Sequence, residues 1–423
     1  VHDALWNEVW FFIPPCDWRF LPELGPPPSR LAGFFHFRRP FCECAGDGRL
    51  LKKKRYSSPV EIFRQEISDL TVCRGVFAAW VFIYHVNLHA RLSDLLGPAK
   101  GLLIHGYLGV DGFFILSGLI LARVHPELGK SLTVAGSVRF WGKRLARIYP
   151  VHLATIVLLI CIVGGGRMIG LTPDDPQRFA FVPLLENLLL IHGWGFSNPW
   201  DWNYPSWSVS TEWAGYVLFP LLWFAITAWS GIIAGELVVV SMPILGLLAH
   251  VSGHGLNLTY AAALWRFFPE FIMGIATAKL VPDTADHVPS IWLALLGAGL
   301  AVIGAVYGWD VMTVEGIWLV LAALTMRADT GRKPMFGEAR VLRMFGLLSY
   351  AFYMSFAISE LLLAQMFRHA GWDPAGHKLA YAGAMIAVTL LLAVPLHVLV
   401  ETPCRRMGDK WFAPPLAVAK QRS

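Results

Sequence analysis

The chain has 423 residues, of which 56% are hydrophobic and only 15% charged, with a mean hydropathy of +0.53 and a formal net charge of +6. A soluble domain carries about 25% charged residues, so a water-soluble globule is excluded, as are disorder, collagen and a coiled coil. The composition points to an all-α polytopic membrane protein, in which the 27 Phe and 18 Trp suit the two lipid interfaces.

Residues 1–60 stand apart, with Pro26, Pro27 and Pro28, the basic cluster Lys52, Lys53, Lys54 and Arg55, and no apolar run of spanning length. They lack the short apolar core and small-residue cleavage site of a signal peptide. The expectation is a poorly ordered cytoplasmic extension, with the initial Val marking either a missing start or an added segment. The membrane domain is expected over 61–410 and a cytoplasmic tail over 411–423.

A hydrocarbon layer about 30 Å thick needs roughly 20 apolar residues per helix. Ten stretches qualify or nearly do: 67–88, 107–124, 146–164, 209–228, 231–249, 259–280, 290–307, 311–326, 344–367 and 379–400. The patch 183–192 is too short to cross and reads as a re-entrant or surface helix. Basic residues concentrate at 52–64, 123–147, 327–343 and 405–422, whereas the opposite loops hold only Arg91, Lys100, Arg167, Arg178, Arg368 and Lys378. That asymmetry predicts both termini in the cytoplasm. It also makes the net charge a matter of orientation; no nucleic acid is expected as a partner.

Charged residues inside apolar spans are costly and are functional candidates by default. Arg74 and His85 share the first span, 11 positions apart, which places them on one helical face about 16 Å apart along the axis. A snorkelling arginine and an interfacial histidine would explain the pair equally well. Asp111 lies at the start of the second span, at about the depth of His85. It could hold one imidazole nitrogen, or it could simply favour the helix N-terminus. In Trp207-Ser208-Val209-Ser210-Thr211-Glu212, Ser208 or Ser210 is placed to cap the fourth span, with Glu212 in its first turn. Arg266 and Glu270, four apart, are placed to pair with each other. Arg139, Lys143, Arg144 and Arg147 form a dense basic stretch before the third span, readable as an orientation signal or as an anion site. The six cysteines show no paired spacing, so neither a disulfide framework nor a metal site is expected.

These residues together resemble the acyltransferase 3 family of integral-membrane O-acyltransferases, which includes bacterial O-antigen and nodulation-factor acetylases. Arg74 and His85 match its R-x(10)-H pattern, and Gly109-Val110-Asp111-Gly112-Phe113-Phe114-Ile115-Leu116-Ser117-Gly118 is similar to its second-helix signature. Arg144-Leu145-Ala146-Arg147-Ile148-Tyr149-Pro150 resembles its R-x-x-R-I-x-P element. Trp207 to Glu212 with Tyr216 and Pro220 resembles its W-S-L-S-x-E block, Arg266 to Gly274 its R-x-x-P-E-F-x-x-G helix, and Glu401-Thr402-Pro403 its terminal E-x-P. The likeness runs in order over about residues 65–410. It departs at Ser349 to Phe356, where many members end S-Y-S-L-Y-L-W-H but this chain has Tyr353 and then Phe356. The resemblance is to the stand-alone form, so no hydrolase-like second domain is expected.

The resemblance implies a bacterial inner-membrane enzyme that moves an acyl group, such as acetyl, from cytoplasmic acyl-CoA to a carbohydrate or lipid-linked glycan hydroxyl, with no permanently bound cofactor. Combined with the spacing, it implies that Arg74, Arg144 and Arg147 receive the donor and that His85 acts as general base. Asp111 would orient the His85 ring, and Glu212 would bind the acceptor or relay a proton. Ser117, Trp207, Ser210, Tyr216, Arg266, Glu270 and Tyr353 are expected in structural or acceptor-binding roles, and the aromatic loop Trp194, Trp200, Trp202, Tyr204 and Trp207 above the acceptor. A covalent acyl-His intermediate fits the same residues. A multi-span transporter is the alternative from another class, although no inverted repeat is visible.

Overall fold

In the computed structural model, the described residues are 67–171, 175–196, 201–285, 287–336 and 339–413. The expected extension 1–60, with Lys52 to Arg55, lies outside them, as do Trp200 and most of the expected tail. The described residues belong to one compact unit and form helices and turns, with no strand among them.

Ten long helices follow in chain order: α1 Ser68–Ala90, α2 Gly109–Val124, α3 Val134–Met168, α4 Trp207–Ala228, α5 Gly231–Ser252, α6 Ala263–Thr284, α7 Ser290–Tyr307, α8 Asp310–Asp329, α9 Arg340–His369 and α10 Lys378–Pro395. Nine helical stretches among the described residues are long and apolar enough to cross a membrane, α10 continuing through a π turn to Trp411. The protein is an integral-membrane helix bundle. The expected span 259–280 corresponds to α6, which has the length but carries Arg266, Glu270, Lys279 and Asp283. Arg266 and Glu270 are fully buried inside the bundle.

Helices α2 and α6 pack against each other at the centre. Gly118 and Gly274 permit this crossing: a Cβ on Gly118 would stand 2.1 Å from the Phe271 carbonyl oxygen, and one on Gly274 2.0 Å from that of Ile115. Without a hydrophobic drive between helices in lipid, close backbone approach at small residues is what supplies packing energy. Helices α5, α7 and α10 are peripheral and turn residues such as Ile232, Trp292 and Leu391 outward. The interior face of α1 packs along α9.

Two local features differ from the sequence reading. The basic stretch 139–147 is the opening of α3, a 35-residue helix whose N-terminus is capped by Thr133 Oγ1 accepting from the Gly136 N–H. Helical geometry therefore puts Arg144 and Arg147, three apart, on one face. At α4 neither Ser208 nor Ser210 caps: a 3₁₀ turn at Tyr204–Ser206 leads directly into the helix. The short patch is an eight-residue helix, Phe181–Leu188, followed by a tight segment through His192–Phe196.

Candidate active site

Seven of the sequence candidates converge on one cavity of about 110 Å³: Arg74 from α1, Ser117 from α2, Arg144 and Arg147 from α3, Glu212 and Tyr216 from α4, and Tyr353 from α9. Its remaining polar lining includes Ser208, Ser349 and Tyr350. Three guanidinium groups thus share a space with a single carboxylate. Glu212 Oε1 accepts from Ser117 Oγ and Tyr216 Oη, each at 2.7 Å, which ties α2 to α4. Tyr350 Oη donates to the Ile148 carbonyl at 2.6 Å and braces α9 against α3.

Arg144 is held from below. His125, in the turn after α2, lies 3.3 Å from Arg144 Nη2 through Nε2 and 3.2 Å from Glu127 Oε1 through Nδ1. Burial keeps the His125 imidazole below its ordinary pKa, so it is neutral at pH 7. It then accepts from Arg144 and donates to Glu127. Arg144 Nε is buried with no hydrogen-bond partner among the described residues. A buried donor left unpaired is costly, and Arg144 is among the residues that line the cavity.

His85 does not line that cavity. An aromatic layer intervenes: Phe113 and Tyr353 line the cavity, Tyr353 packs edge-on against Phe356 at 5.5 Å, and the Phe356 ring lies 4.8 Å from the His85 ring. Phe356 therefore occupies the ground between the arginines and His85. Arg74 lines the cavity together with Ser349, Tyr350 and Tyr353 of α9, and His85 packs on Phe356, three residues on from Tyr353.

The expected support of His85 by Asp111 is corrected. Asp111 is fully buried and takes two bonds from Arg266, Nε at 2.9 Å and the other from Nη2. The Arg266–Glu270 pairing is corrected by the same contacts. Arg266 completes its bonds with the Leu258 and Tyr107 carbonyls at 3.3 and 3.2 Å, and both carboxyl oxygens of Glu270 are buried without a hydrogen-bond partner among the described residues. The close crossing of α6 over α2 at the glycines brings Asp111 to the Arg266 guanidinium. Trp207 lies beneath this pair, its ring 5.7 Å from the Arg266 guanidinium.

His85 Nδ1 instead lies 3.1 Å from Tyr204 Oη, which donates to Glu360 Oε2 at 2.5 Å; Glu360 Oε1 is 2.7 Å from His89 Nε2. Glu360 escaped the sequence reading, although an acid inside the apolar span 344–367 is the kind of residue that the cost of charge in lipid flags. His89, one turn beyond His85, carried no comparable signal.

The aromatic loop is described except at Trp200. Trp202, Tyr204 and Trp207 are buried. The Trp202 and Trp194 indole N–H groups donate to the Ala180 and Ser210 carbonyls, both at 2.9 Å. These bonds tie the Trp194 and Trp202 rings to the bundle. Ser210 is structural, its hydroxyl donating to the Leu190 carbonyl at 2.8 Å and accepting from the Gly193 N–H at 3.0 Å. Asp201 accepts from Asn187 Nδ2 at 2.9 Å and from Tyr260 Oη at 3.2 Å, and burial raises its carboxyl to about 7.

Comparison with known proteins finds matches over most of the chain. A family model described as an acyltransferase domain matches residues 67–398. The acyltransferase MdmB of Streptomyces mycarofaciens is 28% identical over 380 residues, covering 81% of this chain and 92% of that protein. Proteins of Staphylococcus aureus strains COL and MSSA476, provisionally named O-acetyltransferases, are 22% and 21% identical over 379 and 372 residues, covering 81% and 80% of this chain. The chain spans 58% and 57% of their respective lengths. No solved structure matches.

Proposed function

The chain belongs to the acyltransferase-domain family, and from that premise we propose that it transfers an acyl group, in the first instance acetyl, from acyl-CoA to a hydroxyl of an envelope carbohydrate or related acceptor. The observation that carries the donor is the convergence of Arg74, Arg144 and Arg147 on one cavity. Guanidinium groups bind phosphate oxygens bidentately, and the unpaired Arg144 Nε supplies a further donor. The phosphates of coenzyme A are the ligand this reading assigns there, with no permanently bound cofactor.

The density of basic residues at this end of the bundle supports a cytoplasmic position for it, with both termini on that side of a bacterial inner membrane. Acyl-CoA would enter from there, its pantetheine arm running between the helices toward His85, about 16 Å further along α1. His85 Nε2 takes the proton of the acceptor hydroxyl as its oxygen attacks the thioester carbon. The new C–O bond forms, the C–S bond breaks, and the imidazolium returns its proton to the departing thiolate. Glu212 is read as the group that holds Ser117 and Tyr216 and offsets the arginine charge. Asp111 is read as the partner that keeps Arg266 buried.

In membranes that contain the normally expressed protein, His85→Ala is expected to abolish acyl transfer from acetyl-CoA to the native acceptor. Arg144→Ala is expected to raise KM for acetyl-CoA with little effect on KM for the acceptor. Full activity in His85→Ala would remove the base, and an acceptor-only effect of Arg144→Ala would reverse the polarity of the site.

A further inference from the structure

The contacts of His85 allow one assignment of protons. Tyr204 has one hydroxyl hydrogen, and Glu360 Oε2, at 2.5 Å, receives it. Glu360 Oε1 meets His89 Nε2 at 2.7 Å, so two donors face the two oxygens of one carboxylate. The Tyr204 oxygen is then left as an acceptor toward His85 Nδ1, 3.1 Å away. His85 Nδ1 must carry its hydrogen, and Nε2 keeps the free lone pair that a general base requires.

We propose that Glu360 is a positioning residue for acyl transfer: through the Tyr204 hydroxyl it fixes His85 as the Nδ1–H tautomer, and its negative charge steadies the imidazolium formed when Nε2 takes the acceptor proton. The proposal rests on the reading of His85 as the base and adds the device that makes it one. The three elements carrying the chain are built to hold it. Tyr204 opens the 3₁₀ turn before α4, and its buried ring lies under the Arg178 guanidinium at 5.2 Å. Its carbonyl is 3.1 Å from Tyr260 Oη. Phe356, one helical turn before Glu360 on α9, packs on both His85 and Tyr204, at 4.8 and 6.1 Å between rings. The His85 ring therefore has little freedom to turn its other nitrogen toward Tyr204.

The titratable groups around the relay come from every neighbouring element. Tyr84 and His89 lie on α1 with His85, Arg178 and Tyr204 belong to the segment before α4, Tyr353 and Glu360 are on α9, and Tyr381 is on α10, 6.0 Å from the His89 ring. Among them Glu360 is the carboxylate joined to His85 through a hydrogen-bonded hydroxyl. The arrangement follows the logic by which a buried acid holds a catalytic imidazole in one tautomer, with a phenol interposed.

The test is the pH dependence of CoA release from acetyl-CoA by the full-length protein in membranes, with native-host envelope glycans as acceptor. Glu360→Gln should lower kcat by about tenfold or more and move the acidic limb of the profile down by about one pH unit, while KM for acetyl-CoA stays within about twofold. Tyr204→Phe should act in the same direction, and the double variant Tyr204→Phe/Glu360→Gln should be no worse than the poorer single. Glu360→Asp, which keeps the charge, should restore the limb toward its original position. A Glu360→Gln profile that superimposes on the parent, or losses that multiply in the double variant, would overturn the proposal. If Glu360→Gln does not accumulate in membranes, Tyr204→Phe carries the same measurement. His85→Ala separates the two levels: activity without His85 defeats the base assignment, whereas inactivity together with an unshifted Glu360→Gln profile defeats only the relay.

Discussion

Asp111 and Arg266 form a fully buried ion pair in which two guanidinium nitrogens face the two carboxylate oxygens across the crossing of α2 and α6. The pair occupies the carboxylate that the sequence offers as a partner for His85. It makes Asp111 part of the frame that places the site.

A change at either member leaves the other charge buried alone, at a cost of about 3–5 kcal/mol. Asp111→Leu and Arg266→Met should each lower the thermal stability of the solubilised protein steeply. The double variant should recover part of that loss because no charge then remains uncompensated. Single variants that unfold like the parent would show that the pair contributes nothing to the frame.

The glycines at the same crossing make a steric prediction. Gly274→Ala would push a methyl group to 2.0 Å from the Ile115 carbonyl oxygen, and overpacking of this kind costs about 1–3 kcal/mol. Reduced melting temperature and reduced activity together are expected, since separating α2 from α6 also strains the Asp111–Arg266 contact. An unchanged melting temperature would count against the close approach.

The arginine cavity predicts a donor-specific defect. Arg74→Ala and Arg147→Ala should each raise KM for acetyl-CoA by about tenfold, the scale of one lost charge-assisted hydrogen bond. Lysine at either position should restore only part of the loss, because an ammonium cannot make the bidentate contact. Saturation kinetics in membranes will check this, and an effect confined to kcat would point away from phosphate binding.

Glu212→Gln should lower KM for acetyl-CoA by removing the one negative charge lining the three-arginine cavity. It should leave kcat within about threefold if the residue is a scaffold. A fall in kcat of about a hundredfold with KM unchanged would instead give Glu212 a part in proton transfer.

Asp201 makes the loop before α4 sensitive to pH. Burial raises its folded-state carboxyl to about 7 from 3.8. A raised value means that the folded state favours the protonated form. The contribution to stability is then complete below about pH 4 and is lost as the pH rises through about 7. The solubilised protein should lose thermal stability between about pH 4 and 7 in part for this reason. Asp201→Asn, which stays neutral, should flatten that dependence; an identical slope in the variant would exclude Asp201 as its source.

Much of the fold is legible from periodicity and charge, because each membrane helix satisfies its own backbone and announces itself by length and apolarity. Helix α6 escapes the apolar criterion because it carries Arg266, Glu270, Lys279 and Asp283, of which Arg266 is compensated by Asp111 of α2. The cavity side chains Arg74, Arg144, Arg147 and Glu212 are visible because charge in a lipid-length segment is rare. The basic stretch at 139–147 reads equally as an orientation signal or as an anion site, and its helical form puts Arg144 and Arg147 on one face.

The sequence by itself determined the class of the protein, the number of long helices, and which charged residues needed an explanation. All of these depend on composition and spacing within single helices. The tertiary structure decided who pairs with whom: Asp111 with Arg266, His85 with Tyr204, and Tyr204 with Glu360 156 positions further along the chain. Helical spacing fixes the face and the depth of a side chain. Its partner depends on which helix is packed against that face, and that is set by contacts such as the Gly118–Gly274 crossing, which no local pattern encodes.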